Sequence, residues 1–177
     1  MQISKRFIGI AVACAVAGSW ASAQDVSNNA VANKTDWTVF VEENPKECWG
    51  VSEPTDTVNT RGGRVVAANR GQILLMVFYR PGSDAKNGQV AFTGGYPFKD
   101  GSQVSVQISG NEFSLFTEGE WAWPASTSDD AKIVSAMKRG ATAVVTGESS
   151  RGTTTKDTFS LLGFTAAVED AEKRCAS

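Results

Sequence analysis

Two pairs of side chains in this sequence have the residue types and the spacing that chemistry or recognition requires. Cys48 lies in the first third of the chain and Cys175 near its C-terminus, and the two can form a disulfide bond. Trp121 and Trp123 are two positions apart, so both indoles lie on one face if this segment is a strand. Paired aromatic rings stack on sugars or pack against a protein partner. The alternative for these tryptophans is a structural role, in the core or over a sheet edge.

Histidine is absent from the 177 residues. Its absence excludes Ser-His-Asp and Cys-His nucleophilic sites and the usual zinc sites. A Ser-Lys or paired-carboxylate site needs no histidine, but no Ser-x-x-Lys motif stands out at a helix start, and no isolated acid lies in an apolar run where its pKa would rise. We therefore predict a protein that is not an enzyme, with no catalytic residue, metal ligand or cofactor. A hydrolase that works without histidine is the less favoured alternative.

Residues 1–23 have the pattern of a signal peptide. Lys5 and Arg6 form a positive start, residues 7–20 are apolar, and Ala21-Ser22-Ala23 supplies the small residues of a cleavage site. The apolar run is shorter than the roughly 20 residues of a membrane-spanning helix. We expect cleavage near Ala23 and a periplasmic, secreted or outer-membrane-associated protein without a membrane span. An uncleaved membrane anchor is the alternative.

Cleavage would also change the charge and the cysteine content. Without Lys5 and Arg6 the chain has 15 basic and 19 acidic residues, so its net charge moves from −2 to −4. This balance argues against a nucleic-acid partner, for which a clustered basic face is expected. Cys14 leaves with the leader, and an even pair in an oxidising compartment predicts a Cys48–Cys175 disulfide. Two buried free thiols are the alternative.

The remaining chain divides into a polar lead-in, residues 24–36, expected to be flexible, and one domain over residues 37–177. The segment from Trp37 to Glu42 is aromatic and β-branched, which predicts a strand, and residues 48–51 would be its return strand. Trp37 and Trp49 on this hairpin are core candidates. Val104, Val106 and Ile108 alternate with polar residues, as in a half-buried strand.

Two segments have helical rather than strand periodicity. Residues 128–140 have acidic residues at the start, Lys138 and Arg139 at the end, and Gly140 at the stop position. Residues 164–174 place a continuous apolar face at helical spacing, and Cys175 continues that face toward the core. Apart from these two helices, the sequence contains eight or nine short strands, which predicts a mainly β protein. We expect an antiparallel β-sandwich or a partly open barrel with two short helices, one at the C-terminus.

An ordered set of motifs resembles the invasion-associated locus B family of exported bacterial proteins. The motifs are Trp37-Thr38-Val39, Cys48-Trp49-Gly50-Val51-Ser52-Glu53-Pro54, Tyr79-Arg80-Pro81-Gly82, Gly94-Gly95-Tyr96-Pro97-Phe98, Ala136-Met137-Lys138-Arg139-Gly140, the run from Asp157 to Ala167, and Cys175. The resemblance covers residues 37–175. It implies a periplasmic or outer-membrane-associated β domain, linked in some pathogens to entry into host cells, and it brings no catalytic residue set and no cofactor.

These observations predict a non-enzymatic protein of the cell envelope that binds an envelope or host component. Its partner would be a protein or another envelope component, not nucleic acid. The alternative binding function is that of an envelope carbohydrate-binding module, with Trp121 and Trp123 facing the ligand. Solvent exposure of the two indoles distinguishes these two functions: if both indoles are buried, the carbohydrate-binding function is excluded.

Overall fold

The computed structural model describes residues 29–176. Within this range twelve strands form one antiparallel sheet, in the order β1-β2-β3-β6-β7-β10-β9-β8-β11-β12-β4-β5. The strands are β1 (Ala30–Lys34), β2 (Trp37–Glu43), β3 (Lys46–Ser52), β4 (Asp56–Arg61), β5 (Arg64–Val65), β6 (Leu74–Tyr79), β7 (Gln89–Thr93), β8 (Gln103–Ile108), β9 (Asn111–Glu118), β10 (Trp121–Trp123), β11 (Thr142–Glu148) and β12 (Thr154–Ser160). The helices are α1 (Thr127–Arg139), α2 (Phe164–Ala176) and a short 3₁₀ helix (Asp84–Asn87).

The alternation of apolar and polar residues in β8 matches the burial of its side chains. In β8 the side chains of Val104, Val106 and Ile108 are buried, and the polar residues between them are not. The turn from β8 to β9 uses positive φ angles at Ser109 and Gly110, which suits a tight hairpin. The predicted half-buried strand is therefore confirmed, and the inner face of the β8–β9 hairpin is part of the core.

The sheet folds over so that its two ends approach each other. Phe92 of β7 and Phe159 of β12 meet with ring centroids 6.2 Å apart, although four strands separate β7 from β12 in the sheet order. The short link at residues 53–55 connects β3, third in the order, to β4, eleventh. The apolar core fills the enclosed space, and strands that face it bury alternate side chains.

The two helices lie where their periodicity and capping residues predict. Ser126 caps α1 by accepting a hydrogen bond from the Asp129 N–H, and Gly140 follows the last turn. Helix α2 buries Phe164, Ala167, Val168, Ala171 and Cys175, which is the predicted face. Trp37 of β2 packs edge-on against Phe164, with ring centroids 4.8 Å apart. A mainly antiparallel β fold with two helices, the second at the C-terminus, is confirmed.

The segment expected to be a flexible lead-in contains a strand. Residues Ala30–Lys34 form β1, which pairs antiparallel with β2. This strand is held by main-chain hydrogen bonds to β2. Its own residues have no periodic apolar pattern, and the sequence therefore showed no signal for it. The predicted leader, residues 1–23, lies outside the described residues. Between residues 29 and 176, neither α-helix combines the length and the apolar content needed to cross a membrane.

Candidate functional site

The predicted disulfide bond is present. Cys48 on β3 and Cys175 on α2 form a disulfide with their Cα atoms 5.7 Å apart. Both side chains point into the core, at 0% and 7% exposure, because β3 and α2 each bury the face that bears the cysteine. The bond therefore attaches the last helix to the β2–β3 hairpin and is out of reach of a substrate.

The outward side of the sheet has an unusual concentration of aromatic side chains. We call this surface the aromatic face and define it as Phe40, Trp49, Phe78, Phe116, Trp121 and Trp123. Each of these residues alternates with an inward-facing neighbour, such as Val39 beside Phe40 or Ala122 between the two tryptophans. They are contributed by β2, β3, β6, β9 and β10. The aromatic face thus follows from strand register across the sheet.

One half of the aromatic face is a row across three neighbouring strands. Phe40 lies opposite Trp49 in the register of β2 and β3, and Trp49 lies opposite Phe78 in that of β3 and β6. The rings of Phe40 and Trp49 are stacked at 5.4 Å between centroids and 6° between planes. Trp49 and Phe78 are 5.9 Å apart. All three side chains are half-buried, so the row presents a contiguous apolar surface to solvent.

The side chain of Arg80 lies beside Phe78, at one end of this row. The Arg80 guanidinium lies 5.0 Å from the centre of the Phe78 ring, a cation–π distance. Arg80 also forms an ion pair with Glu47 at 2.5 Å and donates a hydrogen bond to the Gln89 side chain at 2.9 Å. These contacts fix the guanidinium over one face of the ring.

The other half of the aromatic face contains the predicted tryptophan pair. The indole centroids of Trp121 and Trp123 are 5.7 Å apart with 27° between the planes. Trp121 is 37% exposed, Trp123 is half-buried, and Phe116, opposite Trp123 in the register, is 44% exposed. A role for the pair in filling the core is therefore excluded, because the alternation of β10 gives the inward position to Ala122.

A groove of about 540 Å³ lies against the first half of the aromatic face. Phe40, Trp49, Val51, Leu74 and Met76 supply its apolar wall. The charged side chains that line the groove are both acidic, Asp36 and Glu53. This volume falls within the range of small-ligand and peptide clefts, roughly 300–1,000 Å³. The groove is therefore suited to an apolar group that carries a positive charge.

The sequence indicated only some of the residues of the aromatic face. Trp37 is in the core as expected, but Trp49, also a core candidate, is on the outward face. The signal was present in the spacing, because Cys48 and Trp49 are adjacent and must face opposite sides of β3. Phe40 and Phe116 were missed because the register of their hairpins was not predicted. Phe78 was missed because it joins Trp49 only through the pairing of β3 with β6, which is distant in the chain.

Ionisable groups provide little sign of a catalytic or metal centre in the described part of the chain. Across residues 29–176 no three cysteine, aspartate or glutamate side chains are grouped so that they could hold a metal ion. Asp130, buried in α1, has its pKa raised to about 6, mainly because burial disfavours the charged form. Its carboxylate accepts a hydrogen bond from the Val90 N–H at 2.7 Å, which is a structural contact.

The fold and the surface together define a disulfide-linked, mainly β domain with an aromatic outer face. The chain belongs to the invasion associated locus B (IalB) protein family, because the family model matches residues 37–172. This match confirms the resemblance that the ordered motifs indicate. Comparison with curated proteins and with solved structures gave no match.

Proposed function

We propose that this protein is an exported, non-enzymatic protein of the cell envelope that binds another protein through its aromatic face. The observation that carries the proposal is the row of Phe40, Trp49 and Phe78 beside the groove. Contiguous exposed aromatic surface on a soluble domain marks interaction sites, and aromatic residues dominate binding energy at such sites. Membership of the IalB family is consistent with export to the envelope.

The charge of the groove identifies the chemistry of the partner. Asp36 and Glu53 line it, and no Lys or Arg between residues 29 and 176 does. A partner segment with apolar side chains and a neighbouring Lys or Arg would bury its apolar groups against Trp49 and pair its charge with these carboxylates. An acidic or purely polar segment would gain neither contact.

Site-specific crosslinking tests this proposal. A photoreactive benzoylphenylalanine replaces Gln72, which is exposed and lines the groove. The protein is irradiated in envelope fractions of the source organism. We expect a discrete protein adduct that disappears with Glu53→Lys and weakens as salt is raised, because salt screens the ion pairs.

The matched control places the same photoreactive residue at Val65, an exposed apolar position in β5 that is not part of the groove. The proposal predicts that the adduct from position 72 is absent from position 65. Identical adducts from both positions, or an adduct that survives both Trp49→Ala and Glu53→Lys, would contradict it.

A carbohydrate ligand is the second candidate function, and the geometry of Trp121 and Trp123 favours it. The two indoles are outside the core and their planes are nearly parallel, an arrangement that can stack on sugar rings. Affinity electrophoresis through gels containing peptidoglycan fragments or lipopolysaccharide tests this function. Retardation lost in Trp121→Ala and kept in Trp49→Ala would support sugar binding, and equal mobility with and without glycan would exclude it.

A further inference from the structure

A second cavity, separate from the groove, lies beside β4, β12 and the turn between β11 and β12. It has a volume of about 200 Å³ and shares no lining residue with the groove. Its walls come from Arg61, the irregular segment 67–70, Tyr96, Ser149, Arg151, Thr153 and Thr155. We call it the arginine pocket.

The floor of the arginine pocket is polar and buried. Ser149, Thr153 and Thr155 are at most 5% exposed and Tyr96 is 4% exposed. The Tyr96 and Thr155 hydroxyls are 2.6 Å apart, and the Thr153 N–H donates to the Ser149 hydroxyl at 3.1 Å. Buried hydroxyls cost free energy unless they are hydrogen-bonded, and these are. Such a floor presents oriented polar groups to a ligand.

A buried ion pair holds one wall in place. The Arg70 guanidinium donates to both carboxylate oxygens of Asp157, at 2.7 and 2.6 Å, and also to the Gly94 carbonyl at 2.8 Å. The side chains of Arg70 and Asp157 are 6% and 0% exposed. Arg70 also lies over the Tyr96 ring at 5.1 Å. The positive charge of Arg70 is therefore neutralised, and this residue positions the segment that forms the wall.

The other two arginines leave the pocket with positive charge. Arg61 donates to the Thr153 hydroxyl at 2.6 and 3.2 Å, which directs the guanidinium without neutralising it. Arg151 lies in the turn after β11 and lines the same cavity. Among residues 29–176 neither Arg61 nor Arg151 forms an ion pair, and no Asp or Glu lines the pocket. Two uncompensated guanidinium groups thus face a small polar cavity in an acidic protein.

We propose that the arginine pocket binds a small oxyanion, a phosphate or carboxylate group, with Arg61 and Arg151 as its charged ligands and the floor hydroxyls as further donors. Guanidinium groups form paired, charge-assisted hydrogen bonds to such anions. The volume fits one anionic group rather than a large ligand. The proposal stands independently of the aromatic face.

Isothermal titration calorimetry of the disulfide-bonded protein, with inorganic phosphate and separately with citrate at constant ionic strength, tests the proposal. We expect saturable binding of at least one anion. Arg151→Ala should weaken it by about ten-fold or more, because a charge-assisted hydrogen bond is lost. Binding of phosphate alone indicates a phosphoryl ligand, and binding of citrate alone indicates a carboxylate ligand.

Lys156→Ala is the matched control, because Lys156 has the same charge and neighbours Thr155 on the exposed side of β12. We expect this variant to bind as the wild type does. Arg151 is exposed and lies in a turn, so its replacement should leave the fold intact, which circular dichroism verifies. Absence of saturable binding by the wild type, or equal weakening by Lys156→Ala and Arg151→Ala, would overturn the proposal.

Discussion

At the scale of single residues, the buried carboxylates of Asp130 and Asp157 make the free energy of unfolding sensitive to pH and to substitution. Asp130 has no positive partner within hydrogen-bond distance among the described residues, and Asp129 beside it disfavours its charged form further. Asp157 instead has both oxygens occupied by Arg70. Burial raises the pKa of both carboxyl groups, but only Asp157 has a counter-ion, so the two acids respond in different ways to substitution.

Stability should fall as pH rises through the range in which Asp130 ionises. The native pKa of about 6 lies above the ordinary pKa of an aspartate, 3.8, so the native state binds more protons between these values. The contribution is fully present below pH 3.8 and is lost as pH passes 6. Urea denaturation at several pH values should show a loss of about 1–3 kcal/mol from this group. Asp130→Asn, which keeps the acceptor for Val90, should flatten this response, and an unchanged pH profile would contradict the assignment.

Replacing Asp157 should be far more damaging than replacing an exposed acid. Asp157→Asn leaves the Arg70 charge buried without a counter-ion, which typically costs about 3–5 kcal/mol. The free energy of unfolding from urea titration measures this loss. The apolar pair Arg70→Met with Asp157→Leu should be more stable than Asp157→Asn, because it leaves no unpaired charge. A value for Asp157→Asn within experimental error of the wild type would refute the role of the pair.

At the scale of elements, the start of α2 is fitted closely against the end of β1. Gly163 has a φ of 88°, and a Cβ there would overlap the Lys34 carbonyl oxygen. Gly50 of β3 also faces α2, but a Cβ there would make only an ordinary contact, 3.6 Å from the Cβ of Ala167. Glycine is therefore required at position 163, where α2 begins against the end of β1.

Gly163→Ala should therefore cost more than the backbone strain alone. Gly101 has a φ of 68° and open space around it, so Gly101→Ala measures the strain without the overlap. We expect the Gly101 variant to lose about 1 kcal/mol of unfolding free energy and the Gly163 variant clearly more. Thermal or urea unfolding of the two variants gives the comparison, and equal losses would show that the contact with Lys34 relaxes freely.

At the scale of the whole molecule, the disulfide closes almost the entire folded domain. It spans 127 positions and links the β2–β3 hairpin to the last helix. In the chain-entropy model a loop of this size stabilises the folded state by up to about 5 kcal/mol. The same bond holds α2 over the inner side of the strands whose outer side carries Phe40 and Trp49.

Removing both cysteines should destabilise the protein without changing its fold. We expect Cys48→Ala with Cys175→Ala to lower the free energy of unfolding by about 2–5 kcal/mol. Reduction of the wild type with dithiothreitol should have a similar effect, and the double variant should not respond to the reductant. A wild type whose unfolding is the same with and without reductant would contradict this expectation.

Local patterns in the sequence were sufficient for much of the secondary structure. The alternation in β8, the capping of α1 and the apolar face of α2 depend on neighbours within one or two turns of chain, so they are readable from the sequence. Strands β1 and β4 were missed, because their stability comes from hydrogen bonds to β2 and β12 rather than from their own residues. The cysteine pairing was predictable because only two cysteines remain after the expected cleavage.

The sequence by itself therefore determined the family, the mainly β class, the two helices and the disulfide. The tertiary structure decided which aromatic residues share a face and that Arg61 and Arg151 line one cavity. The physical reason is that side-chain direction along a strand is a local property, whereas register across a sheet depends on which strands pair. Trp121 and Trp123 illustrate both contributions. Their spacing in the sequence placed them on one face of a strand, and only the sheet showed that this face is the outer one.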